Sequence, residues 1–133
     1  MKKLIIKIEK SSDGTYGAYA ENVEGIYGMG DTPEEAKKEA MEGLKLLLEY
    51  NDPTNLPTLL KGSYEVVYKF DTVSLLNYFK SVFTAPALER ITGINQKQIH
   101  HYATGLKKPR AAQVEKIEKG LHKLAEELLA VQL

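Results

Sequence analysis

The first part of the chain alternates apolar and polar positions, which predicts three β-strands. Apolar side chains at every second position predict strands over 3–9 and 15–21, and a shorter apolar segment predicts a third over 26–29. Clusters of Ser, Asn, Asp, Glu and Gly at 11–14 and 22–25 predict the turns between them. Because two tight connections follow one another, we expect the three strands to form an antiparallel meander.

A helix is predicted after the third strand. Thr32 is suited to the N-cap, Pro33 to the first helical position, and Glu35 to completing a capping box. Apolar residues then follow at helical spacing: Ala36, Ala40, Leu44, Leu47 and Leu48. Residues 51–62 hold two prolines and predict an irregular connector, and alternation over 63–70 predicts a fourth strand. The predicted order is βββαβ, an α+β arrangement with one helix covering one face of a small sheet.

Helical spacing dominates the rest of the chain. It predicts four helices, over 73–83, 84–92, 96–103 and 111–133. Thr84 and Asn95 are predicted N-caps, and Gly93 is expected to supply the positive φ of the turn between the second and third of these helices. The second half is therefore predicted to be an all-α domain with a helix, a glycine turn and a second helix at its centre.

The last predicted helix carries an uninterrupted apolar heptad. Its members lie alternately three and four positions apart: Val114, Ile117, Leu121, Leu124, Leu128 and Val131. The first members can pack against their own domain. The later ones predict a homodimer or a higher homo-oligomer, with an interface formed by Leu121, Leu124, Leu128 and Val131. Gly120 weakens the helix by about 1 kcal/mol, and we expect it to allow close approach of the partner helix.

Composition narrows the class of protein. The 133 residues are 43% hydrophobic and 27% charged, which is an ordinary globular balance for one medium domain or two small ones. The chain has no cysteine, which excludes disulfides and zinc sites built on cysteine. It has no segment near the roughly 20 apolar residues of a membrane span, and its basic start lacks an export cleavage site. We therefore expect a cytoplasmic protein without membrane contact.

Charge divides the chain at Phe70/Asp71. Residues 1–70 hold nine Lys, no Arg and twelve Asp or Glu, for a net charge of −3, and residues 71–133 have a net charge of +3. The excess is concentrated in 71–110, which holds six Lys or Arg against two acidic residues. Either this division is a chance fluctuation, or the two halves bind different partners. We predict one domain over 1–70 and a second over 71–133.

The helix after Gly93 has the side chains of a helix that reads DNA. Ile94 and Ile99 are predicted anchors, and the positions around them are almost all hydrogen-bonding types. Gln can pair bidentately with adenine, Lys can reach guanine acceptors, and the residues that follow suit phosphates. The predicted DNA-binding residues are Asn95, Gln96, Lys97, Gln98, His100, His101, Thr104, Lys107 and Lys108. The alternative is a merely solvated helix face.

Metal binding by the two adjacent histidines is not predicted. His100 and His101 lie about 100° apart around a helix, whereas two ligands of one metal need i, i+4 spacing.

The segment 16–36 combines several features in a fixed order. A hairpin ends in an acidic residue and Gly, then Gly-Asp-Thr follows, then Glu-Glu-Ala opens the helix. In these features and in strand order, residues 1–70 resemble the N-terminal domain of HicB-type antitoxins. The resemblance implies a partial RNase H-like fold that binds a small, basic, RNA-cleaving toxin of the HicA type.

Position and chemistry suggest the residues that such a toxin would contact. Tyr16 and Tyr19 point to opposite faces of their strand, so one of them is expected to be exposed beside acidic side chains. Packing of these aromatic residues in the core is the alternative. The predicted toxin-binding residues are Tyr16, Tyr19, Glu21, Glu24 and Tyr27.

An active nuclease is a third possibility for the N-terminal half. An RNase H-type enzyme needs several carboxylates converging from different strands to hold two metal ions. Most acidic residues here fall in predicted turns or on the outer face of the sheet. No catalytic residue, metal site or cofactor is therefore predicted.

The C-terminal half carries a second ordered pattern. Its members are Thr84, Leu88, Gly93-Ile94-Asn95, Ile99, Tyr102, Gly105 and Pro109. This span resembles the Xre/lambda-repressor-like helix-turn-helix, including the version fused to HicB-type antitoxins. One position departs, because Glu89 stands four residues before the turn glycine, where such motifs usually place a small residue. Either the two helices cross differently, or Glu89 turns outward with its stem packed.

Together the two resemblances imply an antitoxin. Its N-terminal domain would mask the toxin's RNA-cleaving site, and its C-terminal domain would bind operator DNA and repress its own operon. The alternative is a stand-alone helix-turn-helix regulator whose N-terminal domain senses a ligand or another protein.

Overall fold

The structure, a computed structural model, describes every residue from Met1 to Leu133. The chain forms two compact units, Met1–Asp71 and Thr72–Leu133. The first unit has a four-stranded mixed sheet and one long helix, and the second has four helices. The protein is therefore a mixed α/β protein, in agreement with the predicted α+β class. No helix combines the length and the apolar character needed to cross a membrane.

The sheet of the first unit has the strand order β3-β2-β1-β4. The strands are β1 (Lys2–Lys10), β2 (Tyr16–Ala20), β3 (Tyr27–Gly30) and β4 (Tyr64–Phe70). Strand β2 pairs antiparallel with both β1 and β3, which confirms the predicted meander. Strand β4 returns parallel to β1, with Ile6 opposite Tyr68. The two edges of the sheet are consequently β3 and β4.

Helix α1 (Pro33–Tyr50) begins at the predicted cap. Thr32 Oγ1 accepts a hydrogen bond from the Glu35 backbone N–H at 3.2 Å. The Glu35 carboxylate accepts in return from the backbone N–H of Asp31, at 2.8 Å. The predicted capping box therefore closes on Asp31, one residue before the position expected for its second bond.

The core of the first unit lies between α1 and one face of the sheet. The alternate residues Leu4, Ile6 and Ile8 of β1 are fully buried, as are Ala36 and Ala40 of α1. The end of the predicted apolar stripe is outside this core, since Leu48 is exposed. Helix α1 is longer than the strand that it packs on: its 18 residues span about 27 Å, whereas the four residues of β3 span about 13 Å. The last turns of α1 therefore extend past β3 and stay exposed.

The predicted irregular connector over 51–62 contains two 3₁₀ turns, Pro53–Asn55 and Thr58–Leu60. Asp52 caps the first, with its Oδ1 accepting from Thr54 N at 3.0 Å. The Lys2 ammonium donates to the backbone carbonyls of Thr58 and Lys61. These contacts hold the connector against the start of β1.

The second unit consists of α2 (Thr72–Phe79), α3 (Ala85–Thr92), α4 (Gln96–Thr104) and α5 (Ala111–Leu129). Two of these helices end earlier than predicted. After α2 the chain turns, and Ser81 Oγ donates to the Tyr78 carbonyl at 2.9 Å, which competes with continued helical bonding. Helix α5 stops four residues before the end of the sequence, where the side chains are exposed and nothing in this chain packs on them.

The second unit is built around seven buried residues: Leu76, Leu88, Ile94, Ile99, Tyr102, Ala103 and Ile117. Gly120 of α5 lies directly against α3. A Cβ there would overlap the Ile91 carbonyl oxygen and lie 3.2 Å from Thr92 Cα. The expectation that Gly120 admits a partner helix is wrong, because it admits α3 of its own unit.

Candidate nucleic-acid interface

A tight turn sets the angle between α3 and α4. Gly93 has a φ of 73°, and its N–H donates to the Glu89 carbonyl at 2.8 Å, which ends α3. The buried Thr92 hydroxyl donates to the Leu88 carbonyl at 2.8 Å and accepts from the Ile94 N–H at 3.1 Å. The predicted turn is confirmed, and Thr92 is a buried support that the sequence pattern did not reveal.

Helix α4 is held by its apolar side and exposed at its beginning. Ile94 and Ile99 are buried, as predicted for the two anchors. Asn95 Oδ1 accepts from the Lys97 N–H at 2.8 Å, so Asn95 is the N-cap. The side chains of Asn95, Gln96 and Lys97 are exposed. The first turn of α4 thus exposes polar side chains to solvent, while the apolar side of the same helix is packed in the core.

Glu89, which stands where similar motifs usually have a small residue, has a defined hydrogen-bond partner in the structure. Its Oε1 accepts from the Gln96 backbone N–H at 3.2 Å, and its Oε2 accepts from the Gln96 side-chain amide at 3.4 Å. The carboxylate therefore reaches across the turn and lies at the N-terminus of α4, where a negative charge is favourable. The side chain of Glu89 is half-buried, and its carboxylate is directed toward the exposed Gln96.

A concave basic surface adjoins the exposed face of α4. Its volume is about 700 Å³, and its lining residues are Gln98, Tyr102, Lys107, Lys108, Arg110, Ala112 and Gln113. The Tyr102 hydroxyl accepts from the Gln98 amide at 2.9 Å, which ties Gln98 to the core tyrosine. Arg110 was absent from the predicted DNA-binding set, although its place in the basic run after Gly105 could have indicated it.

His101 differs from its neighbour in environment. His100 is exposed, whereas His101 is half-buried and its Nδ1 has no hydrogen-bond partner. Burial, with the nearby charges of Lys107 and Lys97, lowers the pKa of His101 below the ordinary value of about 6.5. The lowered pKa favours the neutral form of the ring. The unfolded chain binds a proton at His101 more readily than the folded protein does. The contribution of His101 to the free energy of unfolding is therefore fully present above about pH 6.5 and decreases as the pH falls.

The first unit places the predicted toxin-binding residues at different depths. Tyr16 is only 5% exposed, because the α1 side of the sheet buries it, and it offers little surface to a partner. Tyr19 lies on the opposite face, directly across the β2–β3 pairing from Tyr27, which is 55% exposed. Glu21 and Glu24 are exposed in the turn that follows β2.

The uncovered face of the sheet has a further apolar member that the sequence did not suggest. Met29 lies two residues after Tyr27 on the same face of β3 and is 41% exposed. The Tyr19 hydroxyl donates to Glu9 Oε1 at 3.2 Å, and burial together with that carboxylate raises the pKa of Tyr19. Tyr19 is consequently a protonated, positioned donor beside two exposed apolar side chains.

The predicted dimer residues are divided between packing and exposure. Leu121 packs on the core of the second unit, and Leu124 is half-buried. Leu128 and Val131 are 61% and 59% exposed, and Val131 lies beyond the end of α5. Only the last two members of this set therefore present most of their apolar surface to solvent.

Comparison with known proteins identified no relative of this chain. No protein-family model, no curated protein and no solved structure matches this chain. No three His, Asp or Glu side chains converge in the structure to form a candidate metal site. The functional argument therefore depends on the chemistry of the two surfaces themselves.

Proposed function

We propose that this protein is the antitoxin of a HicA/HicB-like toxin–antitoxin system. In this proposal the Thr72–Leu133 unit is a helix-turn-helix domain that binds double-stranded operator DNA and represses the operon. The Met1–Asp71 unit is a partial RNase H-like domain that binds and masks a small basic toxin that cleaves RNA. The observation that carries the proposal is the exposed first turn of α4, capped by Asn95 and fixed by buried Ile94 and Ile99.

The DNA-binding part rests on chemistry that matches the major groove. An α-helix fits that groove, and helix-turn-helix proteins contact base edges through the first residues of the second helix. Here those residues are Gln96 and Lys97, a donor–acceptor amide and a cation. In this proposal the phosphate backbone beside the groove contacts the concave surface with Lys107, Lys108 and Arg110.

Dimerisation would supply the second recognition helix. Leu128 and Val131, with the 86%-exposed Leu129, form an apolar end that a second copy of α5 can cover. In this proposal the symmetric dimer would present its two copies of α4 about 34 Å apart, one turn of the double helix, and would therefore select an inverted repeat.

The toxin-binding part rests on charge and on the uncovered face of the sheet. The first unit is acidic overall, and a toxin that binds RNA is expected to be basic. Tyr19, Tyr27 and Met29 provide apolar contact area, and Glu21 and Glu24 provide charge beside it. In this proposal the domain has no catalytic activity and no cofactor, and it acts in the cytoplasm, where toxin, RNA and operon are found.

Selection from a random pool of double-stranded DNA tests the DNA-binding part with the full-length chain. We expect enrichment of an inverted repeat with half-site centres about 10 base pairs apart and an adenine in each half-site. A pool that shows no enriched sequence after repeated rounds would contradict the proposal.

Replacing Lys107 with alanine is expected to weaken binding to all DNA sequences alike. A lysine that contacts one phosphate contributes about 0.9 to the slope of log K against log salt, so the slope should fall by about that amount. The measurement is fluorescence anisotropy over a series of salt concentrations. Lys116→Ala is the matched control, because Lys116 is an exposed lysine of α5 outside the basic concave surface. Equal slopes for the two variants would remove Lys107 from the interface.

A further inference from the structure

Gln96, the first residue of α4, is held by a carboxylate from α3. Glu89 is half-buried, and its two oxygens accept from two nitrogens of Gln96, the backbone N–H at 3.2 Å and the side-chain NH₂ at 3.4 Å. No other side chain contacts the Gln96 amide in the hydrogen-bond network. Glu89 is therefore the side chain placed to orient this amide.

The chemistry of a carboxylate decides which way the amide faces. An ionised carboxylate only accepts hydrogen bonds, so the Gln96 NH₂ group must face Glu89 and the Gln96 carbonyl oxygen must face away. An amide NH₂ carries two hydrogens. When one of them is donated to Glu89, the exposed side of Gln96 offers one donor and one acceptor.

That remaining pair matches one base. In the major groove adenine presents an acceptor, N7, and a donor, N6–H, which a glutamine satisfies with one N–H and its carbonyl oxygen. Guanine presents two acceptors, N7 and O6, and a glutamine with one N–H already in use cannot satisfy both. A freely rotating Gln96 would have both hydrogens available and would distinguish the two purines less well.

We propose that Glu89 is a positioning residue that makes Gln96 selective for adenine over guanine. This inference rests on the proposed DNA-binding function and deepens it. The side-chain bond is the longer of the two, and it strengthens when DNA excludes water from the turn, because electrostatic attraction increases at low dielectric. The negative charge of Glu89 also repels nearby phosphates, so selectivity is obtained together with a lower affinity for unrelated DNA.

Two variants separate positioning from helix capping. Glu89→Gln keeps an oxygen for the Gln96 backbone N–H, but its own NH₂ can donate to the Gln96 carbonyl and permit the opposite amide orientation. Glu89→Ala removes both bonds. A residue that only capped α4 would lower thermal stability and would weaken binding to every sequence equally, leaving the base preference unchanged.

The test is competitive binding of the full-length protein to its selected DNA site and to the same site with the adenine of each half changed to guanine. We expect wild type to prefer adenine by about tenfold or more, within the range of a bidentate base contact. Both variants should reduce that ratio several-fold and should bind unrelated DNA more tightly than wild type does. In a Gln96→Ala background, Glu89→Gln should change the ratio no further, since the two residues act as one unit.

Two outcomes overturn the inference, and they are distinguishable. If Gln96→Ala loses the preference but Glu89→Gln and Glu89→Ala keep it within twofold of wild type, Gln96 reads the base without Glu89 and the proposed function stands. If wild type shows no preference for any sequence, the proposed function fails and the inference fails with it.

Discussion

Replacing Gly120 with alanine is expected to destabilise the Thr72–Leu133 unit and to abolish tight DNA binding. The new Cβ would overlap the carbonyl oxygen of Ile91 and lie 2.9 Å from its carbonyl carbon. Both are backbone atoms, so no rotamer change relieves the overlap, and α5 must move away from α3. Overpacking of this kind costs about 1–3 kcal/mol or more, and alanine regains only about 1 kcal/mol of helix propensity. The cost of the overlap therefore exceeds the gain in helix propensity, and the free energy of unfolding should decrease.

Urea unfolding and hydrogen exchange of the α3 and α5 amides measure this effect. Gly43→Ala is the matched control, because Gly43 also lies inside a helix but its Cβ would be 3.7 Å from the Tyr27 carbonyl oxygen, an ordinary contact. Gly43→Ala should stabilise the protein by up to about 1 kcal/mol. If Gly120→Ala were also stabilising, α3 and α5 would not be in the close contact described above.

Replacing Gly28 with alanine should have an effect of similar size on the first unit. Gly28 lies on β3 facing α1, and a Cβ there would overlap the Ala36 carbonyl oxygen and the Ala40 nitrogen and lie 2.9 Å from Glu39 carbonyl carbon. The edge strand would have to separate from the helix, at a cost of about 1–3 kcal/mol or more. Because Tyr27 and Met29 flank this position, their exposed surface would be displaced as well.

The two glycine variants test the two units separately. Gly28→Ala should lose binding of a protein partner while DNA affinity of the full-length chain stays within a factor of two of wild type. Gly120→Ala should show the reverse pattern. Loss of both activities in both variants would mean that the two units depend on each other for stability, which is contrary to the division at Asp71.

Local signals in the sequence were sufficient for the caps and turns. Thr32, Thr84 and Asn95 each accept a hydrogen bond from a backbone N–H in the first turn of their helix, as their residue types indicate. Gly93 has the positive φ that a turn between two closely spaced helices demands. Because these caps and turns depend only on a few residues that are neighbours in the sequence, they can be predicted from the local residue pattern.

Features that depend on distant segments were predicted less well. The odd spacing of Tyr16 and Tyr19 correctly places them on opposite faces, but only the position of α1 determines which face is buried. Gly120 was interpreted through the heptad alone, since nothing nearby in the sequence indicates that α3 lies against it.

The role of Glu89 is a similar case. Its contact with Gln96 spans seven residues, and the two side chains meet only after the Gly93 turn has set the angle between α3 and α4. In the sequence pattern, Glu89 was only a departure at the one position where similar motifs usually have a small residue. In the structure it lies at the start of the helix that the proposal assigns to base reading.

Capture of a toxin by the full-length protein tests the antitoxin proposal most directly. The protein would be used as bait in an extract of its native host at low and at high salt, and each captured protein would be assayed alone for RNA cleavage. We predict one small basic protein, retained at low salt and released at high salt, whose RNA cleavage stops when this protein is added back. Capture of no such nuclease, with binding of the protein to its own promoter intact, would contradict the antitoxin proposal and favour a stand-alone transcription regulator.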